Sequence, residues 1–248
     1  MITLTGVQED LVRDIMAVQP NTVVVFISGS SIASTYITES VPSILQSFYP
    51  GELGGPAIID ILLGEINPSG KLPLTMYYPN ITSRDIRNMD LSSEGGITHS
   101  WFNGSVLFPF GWGLSYTSFT YVSCWSDGLE EKTLSVVEDF NVSQIVSLEI
   151  TVTNTGTVWG DCVIFMFISR ENQSLLEPKQ SLLDFIRLRK LVPGESRKHV
   201  FSLSMADSTT RDIMGFYLEK QWQPRRNSVY QLRLGDVASP AVLTLKVN

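Results

Sequence analysis

The chain has 248 residues, of which 43% are hydrophobic, 10% aromatic and 17% charged, a globular composition sufficient for one large or two ordinary domains. Its net charge of −7 and pI of about 4.9 argue against nucleic acid and against an anionic membrane surface as partners. No apolar run reaches the roughly 18 residues of a transmembrane helix, and the opening MITLTGVQEDLV has neither the basic nor the apolar region of a signal peptide.

Thr5-Gly6-Val7-Gln8 has the capping-box pattern, and Val7, Leu11, Val12, Ile15 and Met16 then recur at helical spacing, which predicts an amphipathic helix ended by Gln19-Pro20-Asn21. Thr22–Ser28, TVVVFIS, is continuous, β-branched and apolar; such a run predicts a strand buried on both faces of a parallel sheet. Ser28-Gly29-Ser30-Ser31 follows at the strand's C-terminal end, where open α/β sheets bind ligands; an ordinary turn fits these residues equally well. The run SILQSFY, within Val41–Tyr49, predicts a second short strand. Pro50-Gly51 then turns the chain, Gly54-Gly55 permit close backbone approach, and Pro56 suits the first turn of a helix. Ile58, Ile59, Ile61, Leu62 and Leu63 fill that helix and Gly64 caps it. Asn67-Pro68-Ser69-Gly70 is a further turn, and Lys71–Tyr78 reads as a strand. These elements are too few for a doubly wound sheet, which has about five or six strands. The chain is therefore expected to begin inside its first domain, with Val23, Val25 and Ile27 leaving an open sheet edge or face that favours aggregation.

Residues 79–105 lack periodicity, which marks a functional or flexible loop, and they contain Glu94, His99, Trp101 and Phe102. The glycine-punctuated aromatic stretch Val106–Tyr121 ends in a strand with Tyr116, Phe119 and Tyr121. Beyond Ser115 short strands succeed one another: Ser147–Asn154, Asp161–Ser169, one within Leu182–Val192, Lys198–Leu203, Tyr230–Leu234 and Val242–Val247. About seven strands with intervening turns predict an antiparallel β-sandwich. The expected fold class is thus α/β plus all-β, with a partial α/β domain over 1–114 and a sandwich over 115–248.

Cys124 and Cys162 allow one bridge or two buried thiols, and spacing does not choose between them. Four N-x-S/T sequons begin at Asn80, Asn103, Asn141 and Asn172, more than chance supplies, and point to a secreted glycoprotein. Sequons without a signal peptide imply that the chain is the C-terminal part of something longer.

Two blocks carry a family resemblance. GELGGPAIIDILLGEINPSGKLPLT, Gly51–Thr75, and FPFGWGLSYTSFTY, Phe108–Tyr121, look like the second domain of glycoside hydrolase family 3. The later VTNTG (Val152–Gly156), EPKQ (Glu177–Gln180), Asp184–Arg187 and PGES (Pro193–Ser196) follow in the order of that family's immunoglobulin/fibronectin type III-like domain. The spacing between blocks resembles the β-xylosidase branch most. The resemblance implies a retaining hydrolase that releases terminal sugars from β-linked oligosaccharides such as xylan, with two carboxyl groups about 5–5.5 Å apart. It places the nucleophilic Asp on an N-terminal barrel that no part of this chain matches, so the chain alone is expected to be inactive.

The general acid/base comes from the second domain in part of the family, and Glu94, upstream of the aromatic run, stands in that kind of position; partial burial would favour its protonated form. In the xylosidase branch this group is expected upstream of the chain, and His99-Ser100 replaces a frequent Tyr-Arg pair. Glu94 as a solvated turn residue remains an open alternative. Glu52 and Glu65 are weaker candidates, one beside a helix N-terminus and one in a turn. His99 and Trp101 are candidates to stack on sugar, or to pack the loop. Two histidines and two cysteines at no ligand spacing predict no metal site, and no phosphate-cradling glycine loop follows a strand, so no cofactor is expected. The alternative from another class is a non-catalytic module that binds carbohydrate or protein through the sandwich.

Overall fold

The computed structural model describes residues 2–129, 131–134, 145–174, 177–204, 210, 213–218, 221–225, 227–238 and 240–247. They form two compact units. The first comprises Met1–Ile66 and Leu72–Gly111, and the second Asn67–Lys71 and Trp112–Asn248. The 67–71 turn, expected within the first domain, is therefore grouped with the second unit.

In the first unit, α1 (Gln8–Val18) begins after Gly6, which takes a left-handed φ of +58°. That turn removes the expected capping box: Val7 is the N-cap, no side chain caps the helix, and Thr5 offers only its carbonyl, to the Gln8 N–H at 3.5 Å. Strand β1 (Val23–Phe26) is followed by α2 (Thr35–Ser40), β2 (Ser43–Gln46) and α3 (Gly54–Leu62). Helix α2 was not anticipated, because TYITES has no clear apolar face. Its signal lies one residue earlier, in Ser34, whose hydroxyl accepts from the Ile37 N–H at 3.1 Å. Strands β1 and β2 are parallel, from Val23↔Ser43 to Phe26↔Gln46. After α3, Gly64 at φ +78° donates its N–H to the Ile61 carbonyl, as a terminating glycine does. The strand expected over Lys71–Tyr78 contracts to β3 (Met76–Tyr77), which pairs antiparallel with β4 (Val106–Phe108). Pro73 has no N–H to give a ladder. Between them lie a 3₁₀ helix (Pro79–Ser83) and α4 (Thr98–Trp101).

Burial on both faces of β1 does not hold. No residue of the strand is fully buried, Val23 is 45% exposed, Ile27 just beyond it is 63% exposed, and among the described residues β1 pairs only with β2. A parallel strand is normally covered on both faces, and β1 lacks that cover. The expected open edge is present.

In the second unit, β5 (Phe119–Trp125), β7 (Ile145–Asn154) and β10 (Ser196–Ser204) form an antiparallel sheet in the order β10-β7-β5; β6 spans Glu131–Leu134, β8 Gly160–Arg170 and β9 Ser181–Leu191. With β13 (Ser228–Gly235) and β14 (Ala241–Val247), these make a five-stranded sheet β6-β14-β13-β8-β9, antiparallel except for β6–β14. A separate hairpin joins β11 (Gly215–Leu218) and β12 (Gln221–Pro224). The sheets share one core: Trp125, Leu148, Ile150, Val152 and Phe201 from the first meet Ile164, Met166, Ile168, Tyr230, Leu232 and Leu245 from the second. Alternation along β7 produces this directly, since Val146, Leu148, Ile150 and Val152 are buried while their neighbours are not. Each such side chain stabilises by about 1.5–3 kcal/mol.

Asn154, at the end of β7, is wholly buried and fully bonded. Its Oδ1 accepts from the Thr117 hydroxyl at 2.7 Å and the Gly156 N–H at 3.0 Å, and its Nδ2 donates to the Val158 and Leu191 carbonyls, each at 2.9 Å. The VTNTG pattern is thus a corner built around one amide. The two cysteines are free. Cys162 points into the core, whereas Cys124 lies between the inward residues Tyr121 and Trp125 on the opposite face of its strand, so they do not form a bridge.

Candidate functional site

The candidate residues lie in the long connection between β3 and β4. Polar side chains, rather than an apolar core, hold it in shape. The Arg84 guanidinium donates to the carbonyls of Asp90 and Ser93 and to the Ser93 hydroxyl. Asn88 Nδ2 donates to Ser93 Oγ at 2.8 Å and to Glu94 Oε1 at 2.7 Å, and the Asp85 N–H lies 3.4 Å from Glu94 Oε2. Asp85 also pairs with Arg87, whose hydrogen bond holds the exposed Asp85 carboxyl below its ordinary value.

Glu94 is exposed and adopts φ +51°, followed by Gly95 at +85° and Gly96 at +79°. Three consecutive left-handed residues reverse the chain. Gly96 is required there, because a Cβ would strike the Trp101 carbonyl. The Asn103 N–H returns to the Gly95 carbonyl at 3.1 Å and closes the loop around α4. Thr98 at φ +66° is a strained position for a β-branched residue; its N–H donates to the Tyr77 hydroxyl at 2.6 Å.

Helix α4 carries His99 and Trp101, both half-buried. The His99 ring stacks on Phe110 with centroids 4.3 Å apart and an interplanar angle of 25°, and Tyr77 meets Phe102 edge-on at 4.9 Å. One face of His99 is thus occupied by an aromatic of the same unit. Glu94, His99 and Trp101 belong to one hydrogen-bonded loop, while Glu52 and Glu65 stand apart from it, exposed at the two ends of α3. The Ser28-Gly29 loop is closed by its own residues: Ser28 Oγ donates to the Ser30 carbonyl at 2.7 Å and accepts from Gln46 Nε2 at 3.1 Å, and the Tyr49 ring covers Gly29. Arg84 and Asn88 were missed by sequence reasoning. Their only signal was a polar run ahead of a double glycine.

Asn80, Asn103 and Asn172 are exposed, whereas Asn141 lies outside the described residues. Among the described residues, no group of three or more His, Cys, Asp or Glu side chains is arranged to hold a metal ion, and no helix is long and apolar enough to cross a membrane.

Residues 1–116 match the glycosyl hydrolase family 3 C-terminal domain. The chain carries the C-terminal domain of glycosyl hydrolase family 3. It is 34% identical over 206 residues to a β-xylosidase of Formosa agariphila, covering 82% of this chain and 27% of that protein. It is 36% identical over 187 residues to a xylan 1,4-β-xylosidase of Xylanibacter ruminicola, covering 75% and 20%, and 31% identical over 214 residues to a β-glucosidase of Bacteroides ovatus, covering 79% and 27%. The chain therefore spans about a quarter or less of these relatives. Among solved structures, a family 3 exo-β-xylosidase superposes over 100% of this chain and 33% of its own with a TM-score of 0.82 at 22% identity, a likeness of fold. A Kluyveromyces marxianus β-glucosidase covers 100% and 29% with a TM-score of 0.79 at 25% identity.

Proposed function

We propose that the chain is the C-terminal portion of a secreted, retaining family 3 glycosidase that releases terminal sugars from β-linked oligosaccharides, with β-xylosidase the closest type. The observation that carries this is the combination of family and coverage: relatives named β-xylosidase and β-glucosidase match most of this chain, yet the chain spans only 20–27% of them. Retention of configuration needs a nucleophilic carboxylate and an acid/base flanking the bond. The nucleophile belongs to the barrel that the family resemblance places N-terminally, so residues 1–248 alone do not turn over substrate. The second unit serves as a fibronectin type III-like module, and the candidate glycan acceptors are Asn80 and Asn103 in the first unit and Asn141 and Asn172 in the second.

Glu94 is the candidate acid/base of this chain, and His99 and Trp101 are the candidate sugar contacts. Supporting Glu94 is its place in a loop held in a costly left-handed geometry, a feature that clusters at functional sites. Its bonds to Asn88 and Asp85 give it a second role, tying the loop.

The test is a chimera in which residues 1–248 replace the matched segment of the Formosa agariphila β-xylosidase. The chimera should hydrolyse aryl β-xyloside and the isolated chain should not. A folded but inactive chimera would sink the proposal, as would normal turnover by the isolated chain. Within the chimera, Glu94→Gln should slow a substrate with a poor leaving group by about 10²–10⁴-fold and spare one with a good leaving group. Equal, small losses on both would assign Glu94 to the loop alone. Retained binding of xylo-oligosaccharide by a chain that supports no chimera activity would favour the non-catalytic binding module.

A further inference from the structure

His99 and Trp101, the candidate sugar contacts, stand on α4, a helix of four residues. A helix so short has no stability of its own, so its position is set by what it is tied to. Within the loop, the Phe102 N–H donates to the Thr98 carbonyl and the Asn103 N–H to the Gly95 carbonyl, each at 3.1 Å. These bonds close the loop on itself. Two rings tie it to the β3–β4 ladder. Phe110, two residues past β4, stacks on His99, and Tyr77, the last residue of β3, reaches both ends of α4. The Tyr77 hydroxyl accepts from the Thr98 N–H at 2.6 Å, and the Tyr77 ring meets Phe102, the C-cap, edge-on at 4.9 Å. The Thr98 N–H opens the helix, where no helical carbonyl can satisfy it.

A bulge aims Tyr77 at the helix. Met76 pairs with Phe108 but Tyr77 pairs with Val106, so the ladder skips Leu107 and sets Tyr77 opposite a residue one place nearer to α4 in the chain. Bulges re-aim side chains in this way beside functional sites. The residue at the other end of the bond is the costly one of the loop. Thr98 holds φ at +66°, after Glu94, Gly95 and Gly96 at +51°, +85° and +79°. Glycine takes such angles freely, and threonine, branched at Cβ, does not. A residue of that kind stays there only where its surroundings fix it. Its own hydroxyl bonds locally, accepting from the Ser100 N–H at 3.3 Å, and does not reach the strand. The Tyr77 bond does, and it falls on the amide next in the chain to His99.

We infer that Tyr77 is a positioning residue for sugar binding: through the Thr98 amide it holds α4 in a strained place and so sets where His99 and Trp101 stand. The inference rests on the proposed glycosidase reading for its ligand, a terminal sugar of a β-linked oligosaccharide, and on the loop geometry alone for the positioning. Tyr77 acts without touching the sugar. Its effect passes through the backbone at one residue, so relieving the strain at that residue should remove the need for the bond. Contacts made alike in the ground state and the transition state act on KM and leave kcat.

A double-mutant cycle in the chimera tests it. Tyr77→Phe keeps the ring against Phe102 and removes the hydrogen bond. It should raise KM for aryl β-xyloside by about tenfold with kcat within about twofold. Thr98→Gly takes the left-handed angle without strain. In the Thr98→Gly background the same Tyr77→Phe change should alter KM by less than about twofold. A residue that only stabilises the fold would lower Tm in both backgrounds and leave KM alone, and a residue that touches sugar itself would raise KM equally in both; either result overturns the inference. Hydrogen exchange on the isolated chain reads the positioning without turnover. The Phe102 and Asn103 amides, whose acceptors are Thr98 and Gly95, should exchange about tenfold faster or more in Tyr77→Phe, and in the double variant should return to the rate of Thr98→Gly alone. Unchanged exchange in Tyr77→Phe overturns the inference whatever the chimera does. The expected exchange together with a folded, inactive chimera would sink the glycosidase reading and uphold the positioning of α4 by Tyr77.

Discussion

The side-chain amide of Asn67 donates to the main-chain carbonyl of Trp159, 92 residues away, at 2.9 Å. Its Oδ1 accepts from the Tyr116 N–H at 2.8 Å and from the Ser115 hydroxyl at 3.0 Å. Asn67 is 8% exposed, so these bonds are sheltered from water, and removing the amide strands a buried carbonyl and an N–H. Asn67→Ala should destabilise the second unit by about 2–3 kcal/mol. Urea unfolding followed by Trp fluorescence measures it. Asn67→Asp keeps the acceptor and loses the donor, and should fall between the two.

Lys71, four residues on, donates to the Gly113 carbonyl at 2.6 Å and forms an ion pair with Asp236. The side chains are only 13% and 21% exposed. Removing one member leaves the other charge largely desolvated, so Lys71→Met should cost about 3 kcal/mol and the double change with Asp236→Asn less than the sum. A double-mutant cycle by thermal unfolding reads the coupling directly. Gly113→Ala should be as damaging as Lys71→Met, since its Cβ would strike the Gly70 carbonyl.

Glu177 of the EPKQ stretch binds two arginines, Arg170 with Nε at 3.1 Å and Arg225 at 2.8 Å. Burial alone would raise its carboxyl, but the hydrogen bond from Arg170 and the charge of Arg225 outweigh burial and hold it below the ordinary 4.5. A depressed carboxyl contributes stability above its unfolded value and loses it as pH falls. The second unit should therefore weaken as pH drops below about 4.5, and Glu177→Gln should flatten that part of the profile. An unchanged acid limb in the variant would remove Glu177 from the account.

The two thiols should behave differently. In the folded chain a thiol reagent should titrate Cys124 first and reach Cys162 only on unfolding, and intact mass without reductant should show no bridge. Burial, opposed by the hydrogen bond between the thiol and the Tyr121 hydroxyl at 3.4 Å, pushes the Cys162 thiol from the ordinary 9.0 up to about 11. A raised value favours the protonated folded state, so this stability is complete below pH 9 and declines as pH rises towards about 11. Cys162→Ala should remove that decline at the cost of a small cavity.

Strands with strict alternation were legible to within two residues, as in β7, because one face is buried and the other is wet. The helix α3 was legible from its punctuation, Pro56 inside the start and Gly64 past the end. What the sequence hid depends on partners distant in the chain. β3 kept two residues of an expected eight, since Pro73 has no N–H to give a ladder and pairing with β4 begins only at Met76. Strand β1 had the composition of a strand covered on both faces and was found half-covered. In the candidate site the glutamate and the aromatics could be picked out by residue type. The Arg84 and Asn88 bonds that shape the loop could not, since arginine and asparagine in a polar run carry no periodic signal. The core role of Asn154 was hidden for the same reason.

The 67–71 segment gives the two units an interleaved inheritance. A sandwich taken from Trp112 onward as a cassette, whether by recombination or by design, would arrive with Asp236 lacking its cation and Tyr116 and Trp159 lacking the amide that binds them. The five residues that meet those needs are encoded more than forty codons upstream, inside the other unit. Any successful exchange of this sandwich between relatives must carry the matching turn with it, so the two pieces of gene are bound to vary together.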